Sequence, residues 1–210
     1  MLDGNNRLLA QELVDAILFF NSKGWSPATS TNYSVRSENR NEYIISRSGV
    51  DKNKFTLSDL ILINKDGEIL DNFKGVGIKS SAETEIHTAL YKKYPEVNCV
   101  LHTHSLLGTM LSHTHLAEGV LRFKDLEIIK GLSGNETHEM EEILPIVANS
   151  QEMPVILNDM DKYFKKYPHL HGFLIAGHGL YTWGKDIPST KRHIETFEFL
   201  FECYDFMRRT

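Results

Sequence analysis

Three histidines carry the most distinctive chemistry in this chain. Leu101-His-Thr-His-Ser105 sets His102 and His104 two residues apart. On a strand, side chains at that spacing leave the same face and can grip one ion. Neutral imidazole is a common ligand for zinc-type ions, although such a pair can also be two histidines satisfied by hydrogen bonds at a strand end. His178 lies in Ala176-Gly-His-Gly-Leu-Tyr-Thr-Trp-Gly184, between two glycines that let backbone and ligand approach closely. Three imidazoles leave a coordination position for substrate, which a catalytic site needs and a closed structural site lacks. His113 and His115 repeat the spacing in a stretch that continues a helix, where residues two apart diverge by about 200°. Both are expected at the surface, sharing no ion.

Small polar clusters offer a second kind of chemistry. Ser30-Thr-Asn32, Ser46-Arg-Ser-Gly49 and Lys79-Ser-Ser81 could each hold a phosphate, the last at an expected helix amino terminus where free amides and the dipole favour anions. Each is equally ordinary turn or cap chemistry. None ends in Gly-Lys-Ser/Thr, which argues against a nucleoside triphosphatase.

The elements that must position these residues follow from periodicity and punctuation. Leu8, Leu9, Leu13, Ile17 and Phe20 predict a helix over Asn6 to Lys23, with Gly24 as its stop. Tyr43 to Ser46 reads as a strand, and Leu60 to Ile63, a Lys65-Asp-Gly67 turn and Ile69-Leu70 as a hairpin. Ser80 or Ser81 is expected to cap a helix through Glu83, His87 and Leu90 that stops near Tyr94-Pro95. Val97 to His104 reads as a strand buried on both faces. A helix over Leu106 to Ser112, strands near Val120 to Phe123 and Ile143 to Val147, and a helix over Asn158 to Tyr167 follow. A strand over Gly172 to Ala176 and a closing helix over Ile187 to Arg208 complete the pattern. Without regular strand-helix-strand alternation, the reading is an α/β chain with a mostly antiparallel sheet flanked by helices.

Bulk properties narrow the function classes. The chain has 210 residues, 41% hydrophobic and 24% charged, which fits one globular domain spanning 1–210. With 23 Lys plus Arg against 28 Asp plus Glu, the net charge of -5 gives no general attraction for nucleic acid. No apolar run reaches the roughly 20 residues of a membrane span, and the amino terminus lacks a signal-peptide layout, so a cytoplasmic location is expected. Cys99 and Cys203 are expected to remain thiols.

Together these stretches resemble the class II aldolase and adducin-like superfamily, and within it the methylthioribulose-1-phosphate dehydratases of methionine salvage. The likeness rests on Gly24-Trp-Ser-Pro-Ala-Thr-Ser30, Ile45-Ser-Arg-Ser-Gly-Val-Asp51, Lys79-Ser-Ser-Ala-Glu-Thr-Glu-Ile-His87, Leu101-His-Thr-His-Ser105 and His171-Gly-Phe-Leu-Ile-Ala-Gly-His-Gly-Leu-Tyr-Thr-Trp-Gly184. It implies a three-layer α/β/α sandwich with a mainly antiparallel central sheet, assembled as a homotetramer with active sites between subunits. It implies one Zn2+ per subunit on His102, His104 and His178, and a phosphate cradle of Thr31, Asn32, Ser48, Gly49, Ser80 and Ser81. Relatives commonly have glycine where this chain has Thr31. Two carboxylates compete as acid/base: Glu83 matches that of the sugar-phosphate aldolases, and Glu127, in Glu127-Ile-Ile-Lys-Gly131, that of the dehydratases. The implied reaction is dehydration of 5-methylthioribulose 1-phosphate to 2,3-diketo-5-methylthiopentyl 1-phosphate, with Glu127 preferred. The alternatives are a fuculose-phosphate-type aldolase or ribulose-phosphate epimerase using Glu83, and a non-catalytic scaffold. For the methylthio group, Phe199, Tyr204 and Phe206 are candidates, although such an aromatic stripe is also what a plain core shows.

Overall fold

A computed structural model describes residues 2 and 4–209 of the chain. Helix α1, Gly4–Ser22, buries Leu13, Ile17 and Phe20 on one face and ends before Gly24, whose φ of +76° suits glycine. Strands β1 (Asn32–Arg36), β2 (Glu42–Ser46) and β3 (Leu60–Asn64) follow. Helix α2 (Thr84–Lys93) leads into β4 (Cys99–Thr103), and Ser105 caps α3 (Leu106–Thr114) by accepting from the Gly108 amide. After β5 (Val120–Phe123) and β6 (Glu142–Val147) come α4 (Met153–Lys166), β7 (Gly172–Ile175), β8 (Gly179–Gly184) and α5 (Ile187–Arg209).

The eight strands form one sheet in the order β3-β2-β1-β4-β8-β7-β6-β5. Neighbours run antiparallel except β6 and β7, which pair in parallel. The two-residue side-chain period sorts the apolar residues between faces. Tyr43, Ile45, Ile61, Ile63, Val100, Phe173 and Ile175 pack with Ile86 and Leu90 of α2 and Ile156 and Met160 of α4. Ile44, Leu60, Leu62, Cys99 and Leu101 pack instead with α1 and α5, and Leu144, Leu174 and Leu180 with α3 and α5. Each fully buried Ile or Leu contributes about 1.5–3 kcal/mol relative to exposure, so a one-residue slip of a central strand is strongly disfavoured. His102 continues the Val100 face, which fixes the direction in which the candidate ligands point.

Several elements differ from the sequence reading. Neither Ser80 nor Ser81 caps α2, which begins at Thr84 after a turn in which Ser81 Oγ accepts from the Glu83 amide. α4 starts at Met153 with a proline in its first turn, where the missing N–H costs nothing. β8 is a full central strand in a stretch to which the sequence pattern assigns no element. No helix among the described residues is long and apolar enough to cross a membrane.

Candidate metal centre and its cleft

His102 lies near the end of β4 and His104 just beyond it, while His178 occupies the turn between β7 and β8. β4 pairs directly with β8, with His102 opposite Tyr181. That pairing carries His178 to the other two. Their ligand atoms all lie within 4.8 Å of one another. Nε2 of His102 is 2.6 Å from Nε2 of His104 and 3.4 Å from Nε2 of His178. Gly179 makes the approach possible, since a Cβ there would meet the Thr103 carbonyl oxygen at 2.1 Å.

Hydrogen bonding fixes the tautomer of the central ligand. His102 Nδ1–H donates to the Leu180 carbonyl at 2.9 Å, so Nε2 presents its lone pair to the cluster. The Tyr181 ring stacks on the His102 imidazole at 3.9 Å. Burial, followed by the neighbouring His104, holds His102 well below the usual histidine range, and burial followed by His178 lowers His104 to about 4. Neutral imidazoles with converging lone pairs suit a divalent ion. Zinc-type bonds of about 2.0–2.1 Å keep tetrahedral ligands about 3.4 Å apart, a spacing the His102–His178 pair already has.

Glu83 joins the same cluster. Oε1 lies 3.0 Å from His178 Nε2 and Oε2 lies 3.7 Å from His102 Nε2. Tyr181 OH donates to Oε2 at 3.0 Å, and so does the Asn32 side-chain amide. Asn32 is oriented in turn by His87, whose Nε2–H donates to the amide oxygen while Nδ1 accepts from Ser34 Oγ at 2.7 Å. Burial pushes the Glu83 carboxyl up, but the hydrogen bond with His178, the pull of the neighbouring His102 and His178 rings and the Asn32 amide outweigh it, and the net displacement is downward. Glu83 is therefore an ionised acceptor at neutral pH.

A cleft of about 230 Å³ opens from this cluster. Its lining includes Thr31, Asn32, Ser48, Gly49, Ser81 and Glu83 together with His104 and His178. Three segments distant in sequence thus meet. Ser80 lies outside the lining. So does Glu127, which opens a short 3-10 helix (Glu127–Gly131), is 70% exposed and pairs with Lys130 at 2.8 Å. Thr31 adopts φ +74°, the left-handed region that explains why a glycine suits this position.

Arg47, inside the Ser46–Gly49 cluster, also lines the cleft, with a buried Nε that has no partner among the described residues. Asn149, Ser150 and Gln151, which escaped the sequence reading, close its far side from the β6–α4 loop. The polar turn composition of 149–151 was the available signal; nothing marked Tyr181 or His87 as orienting groups. His115 is buried rather than at the surface: its ring meets Tyr204 edge-on and Nδ1 faces the Leu111 carbonyl, while His113 is exposed as expected. Phe199 and Phe206 are exposed on α5 and Tyr204 packs on the α3 side, so none of the three lines the cleft.

An antiparallel-rich α/β fold with three imidazoles joined across central strands, beside a serine-rich cleft, defines a class. The pattern described as the class II aldolase and adducin N-terminal domain matches residues 11–204, and the chain belongs to that family. Similar proteins named methylthioribulose-1-phosphate dehydratase occur in Stenotrophomonas maltophilia, 41% identical over 201 residues covering 96% of this chain and 92% of theirs. Another, from Marinobacter nauticus, is 41% identical over 194 residues, covering 92% and 91%. A solved L-fuculose 1-phosphate aldolase shares the fold, with a TM-score of 0.77 at 16% identity, over 100% of this chain and 89% of that one.

Proposed function

We propose that this chain is a hydro-lyase converting 5-methylthioribulose 1-phosphate to 2,3-diketo-5-methylthiopentyl 1-phosphate and water. The observation that carries the reading is the convergence of His102, His104 and His178 at the head of a polar cleft, in a chain so similar to dehydratases of that name. A zinc ion held by these three histidines would supply Lewis-acid polarisation of the ketose carbonyl. The Ser48, Gly49 and Ser81 segments, with Thr31 and Asn32, receive the phosphate, and the unpartnered Arg47 Nε supplies a cationic donor. Ser80 would support this cradle from the adjoining turn.

The remaining chemistry is proton transfer. A carboxylate takes the C3 proton and returns it to the departing C4 hydroxyl, so that water leaves and the resulting enol relaxes to the diketone. We assign this role to Glu127. Its exposure, with Lys130 at 2.8 Å and His138 at 3.6 Å as its ion-pair partners among the described residues, fits a group delivered to a neighbouring subunit's cleft. Glu83, locked by Asn32 and Tyr181, orients His178 and stays ionised. On this reading residues 1–210 are one domain, a three-layer sandwich, and four copies close a ring with active sites between subunits.

The test uses purified protein with metal analysis and both product assays. His104→Ala should lose bound zinc and dehydration together, and Glu127→Gln should retain zinc and lose dehydration. Mixing the two inactive variants should restore about a quarter of wild-type activity through random assortment of neighbours. Release of a free aldehyde in place of a diketone, with Glu127→Gln active and Glu83→Gln inactive, would identify an aldolase instead. Full dehydration by metal-free protein refutes the scheme.

A further inference from the structure

The histidine cluster faces a second groove. It has a volume of about 580 Å³ and is lined by Gly24, Pro27, Leu106, Thr109 and Gly177, beside His104, Asn149 and His178. Only the last three residues also line the polar cleft. The ridge between the two spaces is the loop after α1. Its Gly24 and Pro27 border this groove and its Thr29 to Thr31 border the polar cleft, and the Trp25 carbonyl anchors it by accepting from the His104 amide at 2.8 Å.

The polar atoms of this groove's α3 wall are already engaged. Thr109 Oγ1 donates to the His178 carbonyl at 2.9 Å, and the Gly177 amide donates to Ser112 Oγ at 3.0 Å. What the wall offers is carbon: the Thr109 methyl, the Pro27 ring and the Leu106 side chain. Among the described residues the lining contains no Asp, Glu, Lys or Arg. Leu106 is the first residue of α3, directly after the Ser105 cap, and is 77% exposed. An apolar side chain so open beside a cluster of imidazoles is a contact awaiting a partner.

We infer that this groove receives the methylthio end of the substrate and that Leu106 is a specificity-determining residue. The inference rests on the reaction proposed above. In that ketose the carbons that take part in the reaction, C2 to C4, lie in the middle, so the C1 phosphate and the C5 thioether leave in opposite directions. The molecule has one anionic end and one apolar end. At the histidine cluster a polar cleft and an uncharged groove meet, on either side of the groups that engage the middle.

The experiment compares zinc-loaded wild type and Leu106→Asn on two compounds: 5-methylthioribulose 1-phosphate and 5-deoxyribulose 1-phosphate, in which hydrogen replaces the methylthio group. Wild type should favour the methylthio compound in kcat/KM by about tenfold or more, the scale of one apolar group in a fitted pocket. Leu106→Asn, a change at an exposed site, should collapse that ratio to within about threefold of unity. A ratio unchanged by the substitution, or equal use of both compounds by wild type, overturns the subsite and leaves the reaction standing. A substitution that dissociates the assembly with the ratio intact shows that a second copy covers the groove, and also overturns it. Turnover of neither compound by wild type overturns the reaction and the subsite with it.

Discussion

Thr31 sits at φ +74°, the one β-branched residue among the three described non-glycine positions with positive φ; the others are Ala28 and Asp125. Left-handed backbone costs an L-residue about 1–2 kcal/mol because Cβ crowds the following carbonyl. The conformation persists because the next residue, Asn32, is already paired opposite His102 in the β1–β4 ladder and bonded through its side chain to Glu83 and His87. Replacing Thr31 with Gly and, separately, with Ala removes the same hydroxyl, whose bond to the Ser30 carbonyl is lost in both. The difference between the two variants therefore isolates the backbone. Glycine recovers about 1–2 kcal/mol of strain and gives back about 0.5–1 kcal/mol as extra unfolded-chain freedom. Thr31→Gly should be the more stable of the two by about 0.5–1 kcal/mol, or about 1–4 °C in Tm for a chain of this size. At an ordinary strand position the order would be reversed. Urea unfolding followed by circular dichroism measures it, and an alanine variant as stable as the glycine variant refutes the argument.

Two further outcomes follow from the described contacts. Gly179→Ala puts a Cβ 2.1 Å from the Thr103 carbonyl oxygen and 2.9 Å from His104 Cδ2. It should cost about 1–3 kcal/mol in urea unfolding and weaken zinc retention in chelator competition; a variant that keeps its metal as wild type does contradicts the packing. The Glu198 carboxyl, beneath α3, is raised to about 8 by burial, with Ser105 lowering it and Glu202 raising it. Its unfolded value is near 4.3, so folded chains hold a proton that unfolded chains release. That stability is fully present below pH 4.3 and is lost as pH rises through about 8, at up to about 1.4 kcal/mol per pH unit. Glu198→Gln, neutral throughout, should flatten the dependence between pH 5 and 8, and parallel curves for the two proteins would count against it.

The legible part of the molecule was the part written in short-range pattern. The Val and Leu run before His102 announces a buried strand, and the His-x-His spacing on it needs no tertiary knowledge. β1 was obscured because Asn32, Ser34 and Arg36 are polar yet buried, each satisfied by partners from elsewhere: Asn32 by Glu83 and His87, Ser34 by His87 and Tyr91, Arg36 by the Val97 and Tyr91 carbonyls. Glycines at both ends of Gly179–Gly184 gave that strand the look of a loop, and Pro154 hid the start of α4. The rivalry of Glu83 and Glu127 could not be resolved from spacing, because Glu83 meets His178 only once β8 lies beside β4. Asn149 to Gln151 lacked any periodic mark, since a cleft wall built from loops obeys no period.

The neighbourhood of β4 and β8 has a consequence for biosynthesis. His104 is synthesised long before His178, and the two meet only when the late strand docks beside the early one at the centre of the sheet. A ribosome-bound chain that has exposed the first pair of imidazoles still lacks the strand that delivers the third. Capture of the proposed ion by all three rings would thereby be tied to completion of the sheet, and such an ion would stabilise the finished chain over every shorter intermediate.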